Sequence, residues 1–273
     1  MKPLISIGPI PIYFFGLMIA IGLIIAVYFF LKVAKQKGLN EDLLLNGVTY
    51  SFIGGIIGAR IVYILIYNPA YYLSHPIEIL FISEGGLSIH GGLLGGLLVG
   101  YFYLKKHQIP IWQTLDIAAP AIILAQGISR IGCDVFGAPT NLPWGVEVNG
   151  QYLHPAQAYE FLLDYLLFGY LWLRLKKPSY EGQVFIHYLI GFMVIRGIVE
   201  FTRINPMVFG PFSVSHIMSL IGIIIGFVLI KYRKKQNTPI KEGPPITKKD
   251  YIGIIFFVLI LMIISLFVYY SVY

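Results

Sequence analysis

From Ile12 to Leu31 the chain runs without a charged residue, and comparable apolar stretches recur along its whole length. About 20 residues at about 1.5 Å of helical rise each cross the hydrocarbon core of a bilayer. The runs fall near 12–31, 44–66, 83–104, 115–132, 156–173, 184–203, 214–230 and 251–270. Backbone inside lipid must satisfy its own N–H and C=O groups, which helices do within one segment. The pattern therefore predicts an all-α fold: a polytopic helical membrane protein of about eight spans, with an irregular extracytoplasmic segment. The first run is too long for the apolar part of a cleavable leader, and it ends in Lys32, Lys35 and Lys37.

Charged residues make up 12% of the chain, about half the share of a soluble domain, too few to cover a water-facing surface. The net charge of +7 does not call for nucleic acid, because the cations sit in short clusters between apolar runs. Lys32/Lys35/Lys37, Lys105/Lys106, Arg174/Lys176/Lys177 and the stretch Lys231 to Lys249 all fall on one side of the alternating spans. The loops around 67–82, 133–155 and 204–213 are nearly free of Lys and Arg. This bias predicts cationic loops inside and both termini outside. The expected organisation is a seven-helix membrane domain over 1–230, a basic cytoplasmic linker over 231–250, and an additional transmembrane helix over 251–273. That last helix, uncharged from Ile252 to Tyr270, reads as an anchor.

A charge inside a span costs about 2.5–3.5 kcal/mol on insertion scales, so each one needs a reason. They are Arg60, Glu84, His90, Arg130, Glu160, Asp164, Arg196, Glu200 and Arg203, and most fall in the outer halves of their helices. In IRGIVEFTRINP, Arg196, Glu200 and Arg203 share one helical face. A buried ion pair that fixes packing would explain two of them. Two arginines with one carboxylate leave positive charge over, which a phosphate would balance. In EGGLSIHGGLLGGLLVG, a small-residue row at Gly92, Gly96 and Gly100 allows close helix approach. That row leaves His90 unexplained, either as a satisfied structural imidazole or as a base.

The stretch QGISRIGCDVFGAPTNLPWGVEVNGQYLH, Gln126 to His154, implies tightly turned backbone, with Arg130 at its entrance and Trp144 and Tyr152 suited to the interface. The single cysteine, Cys133, excludes a disulfide framework and a multi-cysteine metal site. It lacks the partner spacing of a nucleophile.

The elements SIGPI, GLM, GARIVYILIYNP, GGLSIHGGLLGG, SRIGC, PWGV, HPAQAYE and RGIVEFTR occur in this order over roughly residues 5–230. As a set they resemble the prolipoprotein diacylglyceryl transferase family of bacteria. The resemblance implies a plasma-membrane enzyme that moves a diacylglyceryl group from phosphatidylglycerol to the lipobox cysteine of a prolipoprotein signal peptide. That chemistry forms a thioether, releases glycerol-1-phosphate and needs neither metal nor cofactor. The implied catalytic residues are His90, Arg196 and Glu200. Arg130 is the implied headgroup ligand; Arg203 and Arg60 are expected to bind the headgroup with it, and Gly91, Gly92, Cys133, Asp134, His154, Gln157 and Glu160 to support the site. Members usually have seven spans, so the eighth is an addition. The chain also departs from the pattern at Ser129, Cys133, Phe15 and Phe192, and in a shortened acidic stretch where Asp134 stands.

Three other readings stay open on the residues alone. One is an intramembrane metalloprotease using His90, His154 and His216, against which the chain lacks an HExxH pair. Another is a transporter with a midplane anion site, against which no internal repeat is visible. The third is a paralogous lipid-binding protein with a different acceptor.

Overall fold

The computed structural model describes residues 3–7, 10–67, 69–81, 85–236 and 245–273. Long helices dominate: α1 (Phe14–Gln36), α2 (Glu41–Tyr67), α4 (Ile89–Lys106), α5 (Ile111–Ile131), α6 (Ala156–Lys176), α7 (Gln183–Glu200), α8 (Val214–Lys235) and α9 (Lys248–Val272). A short α3 (Pro69–Ser74) and a 3₁₀ turn (Pro76–Leu80) follow α2. Among the described residues, α1, α2, α5, α7, α8 and α9 are long and apolar enough to cross a membrane. Glycine and histidine dilute α4, and buried acids dilute α6. The fold is thus that of a multi-pass helical membrane protein, and α1, α4, α6 and α8 each close on a basic last turn.

Local chemistry sets the helix boundaries. Gly38 takes a left-handed conformation (φ 77°) that ends the run after α1. The Asn40 Oδ1 then accepts from the Asp42 and Leu43 N–H groups at 3.0 and 3.1 Å, capping α2. The N-terminus of α7 follows Gly182, which has no side chain to cap with. Asp116 of α5 reaches across instead and accepts from the Gly182 and Phe185 N–H groups at 2.7 and 2.9 Å.

Three two-stranded hairpins break the helical pattern: β1 (Pro3–Ile7) with β2 (Ile10–Tyr13), β3 (Val146–Val148) with β4 (Gln151–Leu153), and β5 (Met207–Phe209) with β6 (Phe212–Ser213). The stretch expected to be irregular is therefore partly ordered as β3–β4. Asn149 (φ 52°) and Gly150 (φ 79°) make its turn, the Asn-Gly pair that suits a two-residue hairpin. The basic linker is shorter than the expected 231–250, because α8 runs to Lys235 and α9 starts at Lys248. Glu84 and residues 237–244 of that linker lie outside the described residues.

The chain divides into two compact units, residues 31–114 and residues 1–30 with 115–273. In the first, α2 and α4 pack backbone to backbone. A Cβ on Gly91 would collide with the Gly58 carbonyl, and one on Gly58 would stand 2.9 Å from the Gly95 Cα. The closest row is thus Gly91 and Gly95 against Gly54 and Gly58. The expected Gly92, Gly96 and Gly100 flank it, Gly100 facing the Ser51 hydroxyl. In the second unit the buried side chains of α5, α6 and α7 form the core, among them Ile117, Ile123, Phe161, Tyr165, Phe168 and Val199. There α9 lies against α6, with Val258 and Ile254 over Gly169 and a 2.9 Å hydrogen bond between the Tyr165 and Ser265 hydroxyls.

Candidate active site

In the larger unit the acids and arginines of α5, α6 and α7 converge. Arg130 occupies the last turn of α5, and its Nη2 pairs with Glu160 Oε1 at 2.8 Å. Its Nη1 faces the Cys133 Sγ at 3.7 Å. Glu160 is 1% exposed while Arg130 is partly exposed, so the carboxylate is the desolvated partner and depends on the guanidinium for its charge. On α7, Arg196 pairs with Glu200 at 2.8 Å, and Arg203 stands 3.9 Å from the same carboxylate. Arg203 interacts electrostatically with Arg196, Glu160, Arg130 and Glu200, which makes the two ion pairs one cluster.

Glu200 is the hub. Its Oε1 accepts from Asn205 Nδ2 and from the Ser213 hydroxyl, both at 2.6 Å. Ser213 also caps α8 in a reciprocal box with His216. The carboxylate thereby ties the end of α7 to the start of α8 while holding two arginines. Arg196 Nη2 reaches the Ser215 hydroxyl at 3.3 Å. Its Nη1 is buried and has no hydrogen-bond partner among the described residues. Asp164, one helical turn below Glu160 on α6, is fully buried, and neither carboxylate oxygen has a hydrogen-bond partner there.

The HPAQAYE run ties the segment after Arg130 to α6. The Gln157 amide donates to the Cys133 carbonyl at 2.8 Å, holding the backbone just after Arg130. The Tyr159 hydroxyl accepts from the Trp144 indole at 2.8 Å and meets His154 Nδ1 at 3.1 Å. The His154 backbone bonds both Gly137 and Ala138, whose own N–H donates to the Thr202 carbonyl. Segment 133–155 is thus laced to α6 and to the end of α7. Cys133 is a free, buried thiol and Asp134 meets Tyr273 at 2.8 Å.

In the smaller unit Arg60 is buried, and its three nitrogens donate to the carbonyls of Ile79 (3.0 Å), Glu78 (2.5 Å), Gly85 (2.9 Å) and Gly86 (3.1 Å). Arg60, expected to hold a headgroup, is bound here to backbone carbonyls. Its guanidinium is consumed by backbone, and it clips the turn that leads into α4. That turn also corrects the third span, expected from residue 83. Gly85 (φ 94°) and Gly86 (φ 76°) are left-handed, Ser88 is the N-cap, and α4 begins only at Ile89. His90 therefore lies in the first turn of α4, ahead of the tight glycine contact rather than within it, with its side chain exposed. Gly91 and Gly92, expected as supports, let α4 approach α2 directly behind it.

Sequence reasoning missed Asn205, Ser213, Ser215, Trp144 and Tyr159 as site residues. The S-x-x-H step from Ser213 to His216 was the available signal, since a Ser three residues ahead of a side chain that can reach back marks a helix start. Among the described residues, no group of three His, Cys, Asp or Glu side chains is placed to hold a metal.

Apolar helices of membrane length around buried glutamates paired with partly buried arginines define a multi-pass membrane protein with a polar interior. A family model described as prolipoprotein diacylglyceryl transferase matches residues 2–232, and the chain belongs to that family. It is 37% identical over 232 residues to the phosphatidylglycerol–prolipoprotein diacylglyceryl transferase of Clostridioides difficile (strain 630), covering 84% of this chain and 93% of the relative. The protein of the same name from Staphylococcus haemolyticus (strain JCSC1435) is 37% identical over 261 residues, covering 89% and 92%. That of Nostoc sp. (strain PCC 7120 / SAG 25.82 / UTEX 2576) is 33% identical over 265 residues, covering 90% and 93%. Helix α9 begins beyond the residues that the family model matches.

Proposed function

We propose that this chain transfers the diacylglyceryl group of phosphatidylglycerol to the cysteine thiol of a prolipoprotein, the first step of lipoprotein maturation. It acts in the bacterial plasma membrane, N-terminus outside, with the site toward the extracytoplasmic leaflet. The lipid donor and the lipobox-bearing signal peptide both reach it from the membrane. The observation that carries the assignment of the site is a buried arginine donor left unpartnered beside two arginine–glutamate ion pairs. Arg130, Arg196 and Arg203 face the paired carboxylates Glu160 and Glu200, and one buried donor, Arg196 Nη1, is left without a partner. Asp164 is in none of these pairs. A lipid phosphodiester is the anion that a membrane supplies, and the planar guanidinium fork matches its oxygens.

The attacking atom is the substrate's own thiol, so Cys133 is not the nucleophile. A thiol of pKa about 8.5 is only a few per cent ionised at neutral pH, and a base raises its reactivity. His90, exposed at the start of α4, takes that proton. The thiolate sulfur attacks the glycerol carbon, a C–S bond forms, and the C–O bond to phosphate breaks. Glycerol-1-phosphate leaves with the added negative charge, which Arg130 and Arg196 stabilise. Glu200 and Glu160 are positioning residues that hold the arginines. Gln157, His154 and Asp134 fix the backbone after Arg130.

The test is lipidation of a lipobox peptide by the purified protein, scored by mass. His90→Asn and Arg130→Ala should each abolish the product while the protein still inserts and folds. Near wild-type rates from either variant would remove the role given to that residue.

A further inference from the structure

Helix α9 was expected to be an anchor, yet its end is built into the segment that follows Arg130. The Tyr273 hydroxyl lies 2.8 Å from Asp134 Oδ1 and 3.1 Å from the Gly132 carbonyl, both acceptors. Its ring packs edge-on against Phe14 and Phe136. One turn back, the Tyr270 hydroxyl donates to the Trp144 carbonyl at 2.8 Å, and the indole of Trp144 donates to Tyr159. Tyr269 is fully buried against Phe161 and Tyr273. At the helix's other end Lys176 pairs with Asp250 at 2.6 Å. The helix is fixed at both ends, and its tyrosine end reaches Gly132, Asp134 and Trp144.

Gly132 to Asp134 is gripped residue by residue. Tyr273 holds the Gly132 carbonyl or the Asp134 carboxylate, and Gln157 holds the Cys133 carbonyl. Gly132 itself has no room for a side chain, since a Cβ there would stand 2.9 Å from the Phe15 Cα. Arg130 is two residues upstream, and its Nη1 leans on Cys133. Displacing the 132–134 backbone displaces the thiol against which the guanidinium rests.

We propose that α9 is a positioning element of the transferase site, in which Tyr273, acting through Gly132 and Asp134, sets the place of Arg130 for the lipid phosphate. The proposal rests on the reading of Arg130 as a headgroup ligand. The Tyr273 hydroxyl is the donor in this contact, because both of its partners are acceptors. Helix α9 lies outside the matched residues 2–232, so the support it gives comes from beyond the matched segment.

The test uses the full-length purified protein in mixed micelles of phosphatidylglycerol, with a lipobox peptide as acceptor. Tyr273→Phe keeps the ring contacts and removes the hydroxyl. Losing this hydrogen bond should raise KM for phosphatidylglycerol about five- to tenfold with kcat little changed, and lower the melting temperature by no more than a few degrees. Tyr273→Ala should raise it further. Phe267→Ala, on the lipid-exposed face of the same helix, should leave KM unchanged. Wild-type KM in both Tyr273 variants, with Arg130→Ala inactive, would overturn the proposal alone. An active Arg130→Ala would overturn the headgroup assignment beneath it. A KM rise in Phe267→Ala equal to that in Tyr273→Phe would reduce α9 to an anchor.

Discussion

Glu200 shows why single buried charges in this chain are rarely replaceable. It accepts from Asn205 and Ser213 while standing beside Arg196 and Arg203. Removing its charge leaves two guanidinium groups uncompensated, and breaking a buried pair costs about 3–5 kcal/mol. Glu200→Gln should lower the unfolding midpoint by the equivalent of about 3 kcal/mol and abolish lipidation, measured by thermal unfolding and by product mass. Asp164 is the contrast, because neither of its oxygens has a hydrogen-bond partner among the described residues. Asp164→Asn should shift stability by less than about 1 kcal/mol in the same unfolding assay. At this scale the sequence was readable where spacing carries the chemistry. Arg196 and Glu200, four apart on one helix, pair as read. Arg130 and Glu160, 30 positions apart, had only their shared outer depth and the family pattern to join them. The backbone contacts of Arg60 were not legible, because an arginine in a span looks the same whether its partner is a phosphate or a set of backbone carbonyls.

Elements extend the argument from charge to shape. The α2–α4 contact has glycine on both sides, so Gly95→Val would drive a branched side chain into the Gly54 carbonyl. Overpacking of this kind costs about 1–3 kcal/mol or more. The variant should lose folded protein on size exclusion, and Gly253→Val, which meets nothing within 4 Å, should not. Arg60→Lys tests the clip. An ammonium lacks the fixed fork that reaches four carbonyls, so the Ser88 N–H, bonded to the Ala59 carbonyl, should exchange with solvent faster while the protein stays inserted. The long helices were legible along the whole chain because apolar length is a strong signal, whereas α3 and the 3₁₀ turn fell in a stretch read as a loop. The hairpins were not legible, although Asn149-Gly150 and Gly210 announce their turns. Short strands between membrane helices leave no apolar run to notice. The start of α4 was set too early because glycines read as helix-packing residues when the neighbouring helix is unknown. Here Gly85 and Gly86 form the turn before the helix instead.

For the whole molecule the charge pattern makes the broadest claim, that basic helix ends face the cytoplasm and the β3–β4 hairpin faces out. With Cys133 replaced by serine, Gly150→Cys should react with a membrane-impermeant maleimide on intact cells. His107→Cys, beside the basic end of α4, should react only after permeabilisation. The reverse labelling would invert the topology and place the arginine cluster on the wrong side for an exported acceptor. Overall class and family were the most legible features of the chain, since both rest on many residues at once. The role of α9 was the least legible. Ile252 to Tyr270 carries no charge, and its function at the site lies in tyrosine hydroxyls at one end, which hydropathy does not distinguish from an interfacial belt.

The account depends on guanidinium groups of α5 and α7 binding a phospholipid headgroup. The most direct measurement is equilibrium binding of phosphatidylglycerol to the purified protein and to Arg130→Ala and Arg196→Ala at fixed ionic strength. Each variant should bind at least about tenfold more weakly while melting as a folded protein, because a charge-assisted contact contributes about 1.5–3 kcal/mol. Unchanged affinity in both folded variants would contradict the account.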